Sequence, residues 1–477
     1  MMDYPLILGG KEIHTDEKFE VKSPYDGKVL GRISIANDEI VEKSAEIAHF
    51  AFEETKSLCS RHREDILLRA KQLLSERADE FAKIIVSEVG KTISEARVEV
   101  DRAQETLALS AALTRKPLGE VIPFDSAPNG AHKWGFYQRF PSGPVLAITP
   151  FNFPLNLAMH KIAPAIAVGN PFILKPASQT PITGLMLGKL ILDAGYPAEA
   201  VSVLTGSGEK IGPPLAGDPR IKVVTFTGSA KVGKELAKYS AAKQIALELG
   251  SNSAAIVLSD ADIFWSADRI SKGATALAGQ VCISTQRVYA EEPIFDSLVE
   301  HIASAMRQMK LGDPMSENTD VGPMISQKDI SRIKQWLDEA VANGAEIVCG
   351  GNFDGSLFEP TTIINVPQDA KIIQDEAFAP IVAINKVTEI NEAIDLVNDS
   401  VYGLNVGVFT RDIVSARKAF EKIDVGSVII NDVPTFRTDI MPYGGVKDSG
   451  LGREGPRYAI EHMTFHKTFA VHHLNEE

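Results

Sequence analysis

The chain has 477 residues, 44% of them apolar and 23% charged, proportions ordinary for a globular protein with more than one hydrophobic core. Its 49 basic and 63 acidic side chains leave a formal net charge of −14, so no net basic field exists to hold nucleic acid or an anionic membrane. Three cysteines, Cys59, Cys282 and Cys349, are too few for a disulfide framework and fit a reducing compartment.

The first residues, Met-Met-Asp-Tyr-Pro, carry neither a basic segment nor a long apolar one, so no secretory signal is expected and the protein reads as cytoplasmic. Ile40 to Leu58 and Glu64 to Leu113 place apolar residues three and four apart among Glu, Lys and Arg, which predicts two long amphipathic helical stretches. Trp134 to Gln138 alternates aromatic and polar positions, as a half-exposed strand does.

From Pro144 the character changes. Val145–Ile148, Pro171–Leu174, Val201–Leu204 and Val223–Phe226 are short β-rich apolar runs. Helical patterns over Pro181–Ala194 and Lys231–Ser240 stand between or after them, which predicts βαβ units and a parallel sheet. Ligands of such sheets sit beyond the carboxyl ends of the strands. Leu155 to Leu174 is the most apolar long stretch, but His160, Lys161, two prolines and Asn170 interrupt it and argue against a membrane span.

The loops after these strands hold the candidate chemistry. Asn152 lies in Thr149-Pro150-Phe151-Asn152-Phe153-Pro154. Prolines and rings would hold its amide as a donor for a developing oxyanion, although an ordinary Asx turn is the plain alternative. Gly206-Ser207-Gly208-Glu209-Lys210-Ile211-Gly212 imitates a dinucleotide fingerprint with one residue too many. Pro213-Pro214 should block the long helix that the motif needs, so it reads as a surface loop, with Gly208 and Gly212 kept as candidate cofactor contacts. Phe226-Thr227-Gly228-Ser229 follows a strand and opens a helix, a better place for a pyrophosphate.

Glu248 sits between apolar neighbours in Ala246-Leu247-Glu248-Leu249-Gly250-Ser251. On an exposed edge it would be inert; buried, its pKa rises and it becomes a general base. A second α/β series then runs from Ala254–Val257 through helical Ser271–Ala278, Phe295–Met309 and Ile330–Asn343. Strand-like Glu346–Cys349, Ile381–Asn385 and Gly426–Ile430 complete it, and Thr464–Val471 alternates again. Cys282 follows Gly279-Gln280-Val281. A lone cysteine is most often a small buried hydrophobe, but Gly279 permits close backbone approach to a ligand. A helix-like run after the gap would lower the thiol pKa. Cys59 and Cys349 read as structural. A thiol nucleophile with a raised-pKa carboxylate is the pair needed to form and hydrolyse a thioester.

Taken together, Thr149-Pro-Phe-Asn-Phe-Pro154, Lys175-Pro-Ala-Ser178, Phe226-Thr-Gly-Ser229, Glu248-Leu-Gly250, Gly279-Gln-Val-Cys282, Asp375-Glu-Ala-Phe378 and Tyr443-Gly-Gly-Val-Lys-Asp-Ser-Gly450 resemble the aldehyde dehydrogenase superfamily over essentially the whole chain. The resemblance is to its branch of lactaldehyde, succinate-semialdehyde and non-phosphorylating glyceraldehyde-3-phosphate dehydrogenases. It implies oxidation of a small polar or anionic aldehyde to its acid with NAD or NADP. Cys282 would be the nucleophile, Glu248 the base for the hydrolysing water, and Asn152 with the Cys282 N–H the oxyanion donors. Cofactor contacts would come from Thr149, Pro150, Lys175, Ser178, Phe226, Gly228, Ser229, Leu249, Glu376 and Phe378. No metal site is implied. Phe153 and Arg437 would meet substrate, Arg437 pairing with an anionic group unless it is spent on a salt bridge.

The implied fold is α/β: a Rossmann-like cofactor domain over 1–115 and 139–248 and a catalytic domain over 249–447. A β flap over 116–138 with a tail over 448–477 would join a homodimer or homotetramer. Ser251 and Ala379 stand where relatives commonly carry glycine. Ser178 stands where NAD-preferring relatives often carry a glutamate that would repel a 2′-phosphate, so NADP acceptance is expected. Two other chemistries stay open: transfer of the acyl group to CoA, and a cysteine hydrolase or thioesterase with no redox step.

Overall fold

The computed structural model describes residues 2–116, 119–240 and 242–472. Two sheets carry the architecture. The first has strand order Gly450–Leu451, Gln244–Glu248, Val223–Thr227, Val145–Ile148, Phe172–Lys175, Val201–Val203, Leu6–Leu8, Lys11–Ile13. Its five central strands are parallel and bury nearly every side chain, as strands covered by helices on both faces must. In chain order the first of these five, Val145–Ile148, lies next to the fourth, Val223–Thr227. The path reverses there, so the loops leaving the two strands diverge and open a crevice at their carboxyl ends.

The second sheet runs Glu346–Cys349, Thr361–Ile364, Ile381–Val387, Arg287–Glu291, Ala254–Val257, Asn405–Phe409, Ser427–Ile430, parallel except at the first strand. A smaller antiparallel sheet pairs Thr464–His472 with Lys133–Pro141 and Gly119–Val121. Of the expected flap and tail, residues 117–118 and 473–477 lie outside the described residues. No described helix is long and apolar enough to cross a membrane. Helix Asn156–Val168, inside the most apolar stretch, is buried along its whole length against the first sheet and the N-terminal helices.

Three expectations need correction. The stretch 64–113 is three helices, Ser60–Glu76, Ala78–Val89 and Ile93–Leu113. Gly90 ends the second with φ +80°, a conformation that favours glycine. Thr92 caps the third, its hydroxyl accepting from the Glu95 N–H while the Glu95 carboxylate accepts from the Thr92 N–H, a capping box. The helix placed at Ser271–Ala278 starts earlier, at Ile263, and ends at Thr275. Finally, Gly208–Gly217 is helical and not a surface loop. The two prolines remove bonds to the carbonyls of Glu209 and Lys210, and both residues are exposed, so water replaces what the helix loses.

Candidate active site

The crevice continues into a cleft of about 830 Å³ between the two sheets. Pro150, Asn152 and Phe153 reach it from the loop after Val145–Ile148, and Gly228 and Ser229 from the loop after Val223–Thr227. Glu248 and Leu249 come from the end of Gln244–Glu248, and Cys282, Glu376, Phe378 and Arg437 from the half of the chain that builds the second sheet. A second groove of about 710 Å³ is lined by Ser178, Gly208, Gly212 and Phe226, and Lys231 lines both, so the two adjoin. Thr149 and Lys175 lie buried behind them, joined by the Thr149 N–H to Lys175 carbonyl bond of 3.2 Å.

Cys282 is presented by an unusual backbone. Leu277 and Ala278 both have φ +51° and Gly279 follows at +69°. Such positions cost on the order of 1–2 kcal/mol per non-glycine residue, so something must hold them. The Leu277 N–H donates to the Glu95 carboxylate at 2.6 Å, the group that also closes the capping box. A side chain at position 279 would run into the Ala379 carbonyl, so glycine is required there. Gln280 is clamped through its side chain to Leu277 and Ile325, and its carbonyl accepts from Asn152 Nδ2 at 2.9 Å.

The expected helix after Cys282 is absent; the next element is the strand Arg287–Glu291. The thiol pKa is therefore not lowered by a helix N-terminus. Burial pushes it up to about 12, against a hydrogen bond from Tyr443. Cys282 Sγ lies 2.9 Å from Tyr443 Oη, and among the described residues no histidine bonds to it. Cys59 is exposed and Cys349 buried, both free.

Asn152 makes no Asx-turn bond. Its Oδ1 is buried without a partner, and the Gln280 contact uses one of its two amide hydrogens. Glu248 is buried at 4% exposure, and neither carboxylate oxygen has a partner. Desolvation holds its pKa well above the carboxylate range, and the nearby Glu454 adds to that. Glu454 itself is held low despite burial, because Lys161 and Arg437 contact it at 3.1 and 2.6 Å. Lys161 also donates to Thr227 Oγ1 at 2.7 Å. Arg437 is thus spent on an internal ion pair, yet it lines the cleft and its buried Nε has no partner.

Composition and spacing gave no sign of Arg102. It projects into the cleft from helix Ile93–Leu113 with its side chain 24% exposed, held by Asp439 at 2.7 Å. His160, read from sequence as structural, meets the same carboxylate at 2.7 Å. Lys161 and Glu454 were also invisible in sequence, since nothing local marks residues 293 positions apart as partners. Phe153 lies under the Lys91 ammonium, 3.8 Å from its ring centre.

Behind the second groove, Lys175 is buried, and desolvation pulls its pKa down to about 8. Among the described residues no carboxylate pairs with it, so an anionic group in the groove would complete it. A β-carbon at Gly208 would stand 3.8 Å from its Nζ. Ser178 Oγ donates to the Gly206 carbonyl at 3.0 Å. Glu376 accepts from the Ser251 N–H at 3.0 Å, and burial raises its pKa to about 7. Phe378, at φ +51°, packs edge-on to Phe151 with ring centres 5.9 Å apart.

Comparison with known proteins adds to this geometry. The model of the aldehyde dehydrogenase family matches residues 12–469. A 3-sulfolactaldehyde dehydrogenase from Priestia aryabhattai is 44% identical over 461 residues, covering 97% of this chain and 96% of the relative. The crystal structure of aldehyde dehydrogenase 21 from Physcomitrella patens, in complex with the reaction product succinate, superposes with a TM-score of 0.97 at 36% identity, covering 100% of this chain and 99% of that one. The glyceraldehyde-3-phosphate dehydrogenase GapN from Methanocaldococcus jannaschii, complexed with NADP, superposes at 0.93 with 38% identity, covering 96% and 100%.

Proposed function

Because the chain belongs to the aldehyde dehydrogenase family, we propose that it oxidises a small anionic aldehyde to the carboxylic acid, with NAD or NADP as hydride acceptor. The observation that carries this reading is the convergence of Cys282, Asn152 and Glu248 with Arg102 and Arg437 on one cleft. The dinucleotide would lie along the adjoining grooves. Lys175 would face its ribose, Ser229 its pyrophosphate and Glu376 its nicotinamide ribose, with Phe378 beside the ring. Bound there, the nicotinamide supplies the two-electron acceptor that turns a hemithioacetal into a thioester.

The chain's own residues do the rest. Cys282 sulfur, as thiolate, bonds to the aldehyde carbon. The free Asn152 amide hydrogen and the Cys282 N–H receive the oxyanion, at roughly 3 kcal/mol per donor. Once the acyl group is a thioester on Cys282, Glu248 takes a proton from water. The hydroxide attacks the carbonyl carbon, the C–S bond breaks, and the acid leaves. Glu248, desolvated and without a partner, is a strong proton acceptor once ionised, which favours water over CoA as acyl acceptor.

The sulfonate, carboxylate and phosphate chemistries of the relatives share an anionic tail. Among the cations lining the cleft, Arg102 and Arg437 are the ones proposed to meet it. The sheet of Lys133–Pro141 and Thr464–His472 exposes Trp134, Phe465 and Phe469, which supports a homodimer or homotetramer built through it, and the free thiols fit the cytoplasm. The test is a panel of matched sulfonated, phosphorylated, carboxylated and neutral aldehydes with both dinucleotides. Anionic members should give the higher kcat/KM, and Arg102→Ala should raise KM for them alone by about tenfold or more. Equal loss on neutral aldehydes would remove the anion-binding role.

A further inference from the structure

We propose that the Tyr443 hydroxyl is a catalytic group that donates its proton in a hydrogen bond to the Cys282 thiolate and so sets the reactivity of the nucleophile. This rests on Cys282 being the nucleophile, as argued above. Three observations carry it. Oη and Sγ are 2.9 Å apart, and Tyr443 is buried at 3% exposure. Asn152, the other amide near the turn, is bonded to the Gln280 carbonyl and not to the sulfur. The Arg437 guanidinium lies 3.8 Å from the Tyr443 ring centre, where a cation draws electron density from the ring and strengthens its O–H as a donor.

The charged and titratable groups around the pair come from several elements. Glu248 faces it from the end of its strand, Glu376 from the loop before Ile381–Val387, and Arg437 from the loop carrying Tyr443. Two carboxyls thus oppose a thiolate, and Arg437 is shared with Glu454. The phenol is the donor already in contact with the sulfur. Burial raises the pKa of Tyr443 well above its usual value, so the phenol stays protonated and able to donate.

The test is the pH dependence of Cys282 alkylation by iodoacetamide, followed on the Cys282 peptide; the thiolate forms an S–C bond and iodide leaves. Tyr443→Phe keeps the ring under Arg437 and removes only the hydroxyl. Over the neutral and mildly alkaline range, below the thiol midpoint, its alkylation rate should fall roughly tenfold, the effect of a midpoint raised by about one pH unit. Dinucleotide binding should not change. Should the variant fold poorly, fluorinated tyrosine incorporated into the intact protein is the second measurement, and the midpoint should then move down. Identical profiles for Tyr443→Phe and the parent protein, or no faster alkylation with fluorinated tyrosine, would overturn the proposal. If Cys282→Ala kept full dehydrogenase turnover, the nucleophile assignment itself would fail instead.

Discussion

Glu248 and Glu454 are buried carboxylates near the same cations, Lys161 and Arg437, yet their pKa values are pushed in opposite directions. Contact decides it: Glu454 touches both cations and stays ionised, whereas Glu248 touches neither and is pushed towards the neutral form. Groups whose environments separate their pKa values in this way mark acid–base roles. Sequence showed Glu248 only as a carboxylate among apolar neighbours; its burial depends on the strand Gly450–Leu451, two hundred positions away, pairing beside it. The thiol shows the opposite error. A lowered pKa was read from a local helix, and tertiary burial raised it. In the groove proposed for the dinucleotide, Ser178 would place a neutral hydroxyl where a carboxylate would repel a 2′-phosphate, and Lys175 would add a cation. NADP should therefore be used with a kcat/KM within about a hundredfold of that for NAD. Ser178→Glu should lower the NADP value selectively, as steady-state kinetics with both dinucleotides would show; an unaltered ratio would separate Ser178 from cofactor choice.

At the scale of elements, eight strands of the two sheets were legible because buried strands are short continuous apolar runs, and their ends agree with the sequence reading to within a residue or two; Arg287–Glu291, Thr361–Ile364 and Asn405–Phe409 in the second sheet, and the outer strands of the first, were not read from sequence. Helix ends were less so. Periodicity registers a face that runs on through Arg77 and Gly90, while the breaks come from a left-handed glycine and a capping box. The left-handed turn Leu277–Gly279 has no periodic signal at all, although Gly279 marked a place of close approach. Gly279→Ala should cost about 2–4 kcal/mol of stability and slow Cys282 alkylation, since the new methyl meets the Ala379 carbonyl. Gly344 is also left-handed, at φ +102°, but open space surrounds it. Gly344→Ala should cost only about 1 kcal/mol. Urea unfolding of the two variants makes the comparison, and equal losses would show that the turn tolerates displacement.

Over the whole molecule, function depends on two sheets meeting so that residues from far-apart segments share a cleft. The motif order in the chain carried the family, but Arg102 with Asp439 and Cys282 with Tyr443 are pairings that only the folded chain displays. Assembly of the cleft also stores charge strain. Glu376 has a pKa of about 7 in the folded protein against an ordinary carboxylate value when unfolded, so the folded state binds the extra proton. Its contribution to stability is complete below the unfolded value and is lost as pH rises to about 7. Thermal midpoints should therefore fall over that window, and Glu376→Gln should flatten the slope; an unchanged slope would place the titration elsewhere.

The joining of thiol and carboxylate chemistry in one site is tested by rapid mixing of Glu248→Gln with aldehyde and dinucleotide. One equivalent of reduced cofactor per site should appear in a burst, steady turnover should fall by about 10²–10⁴-fold, and an acyl group should be found on the Cys282 peptide by mass spectrometry. Undiminished turnover, or a burst with no adduct on Cys282, would contradict it.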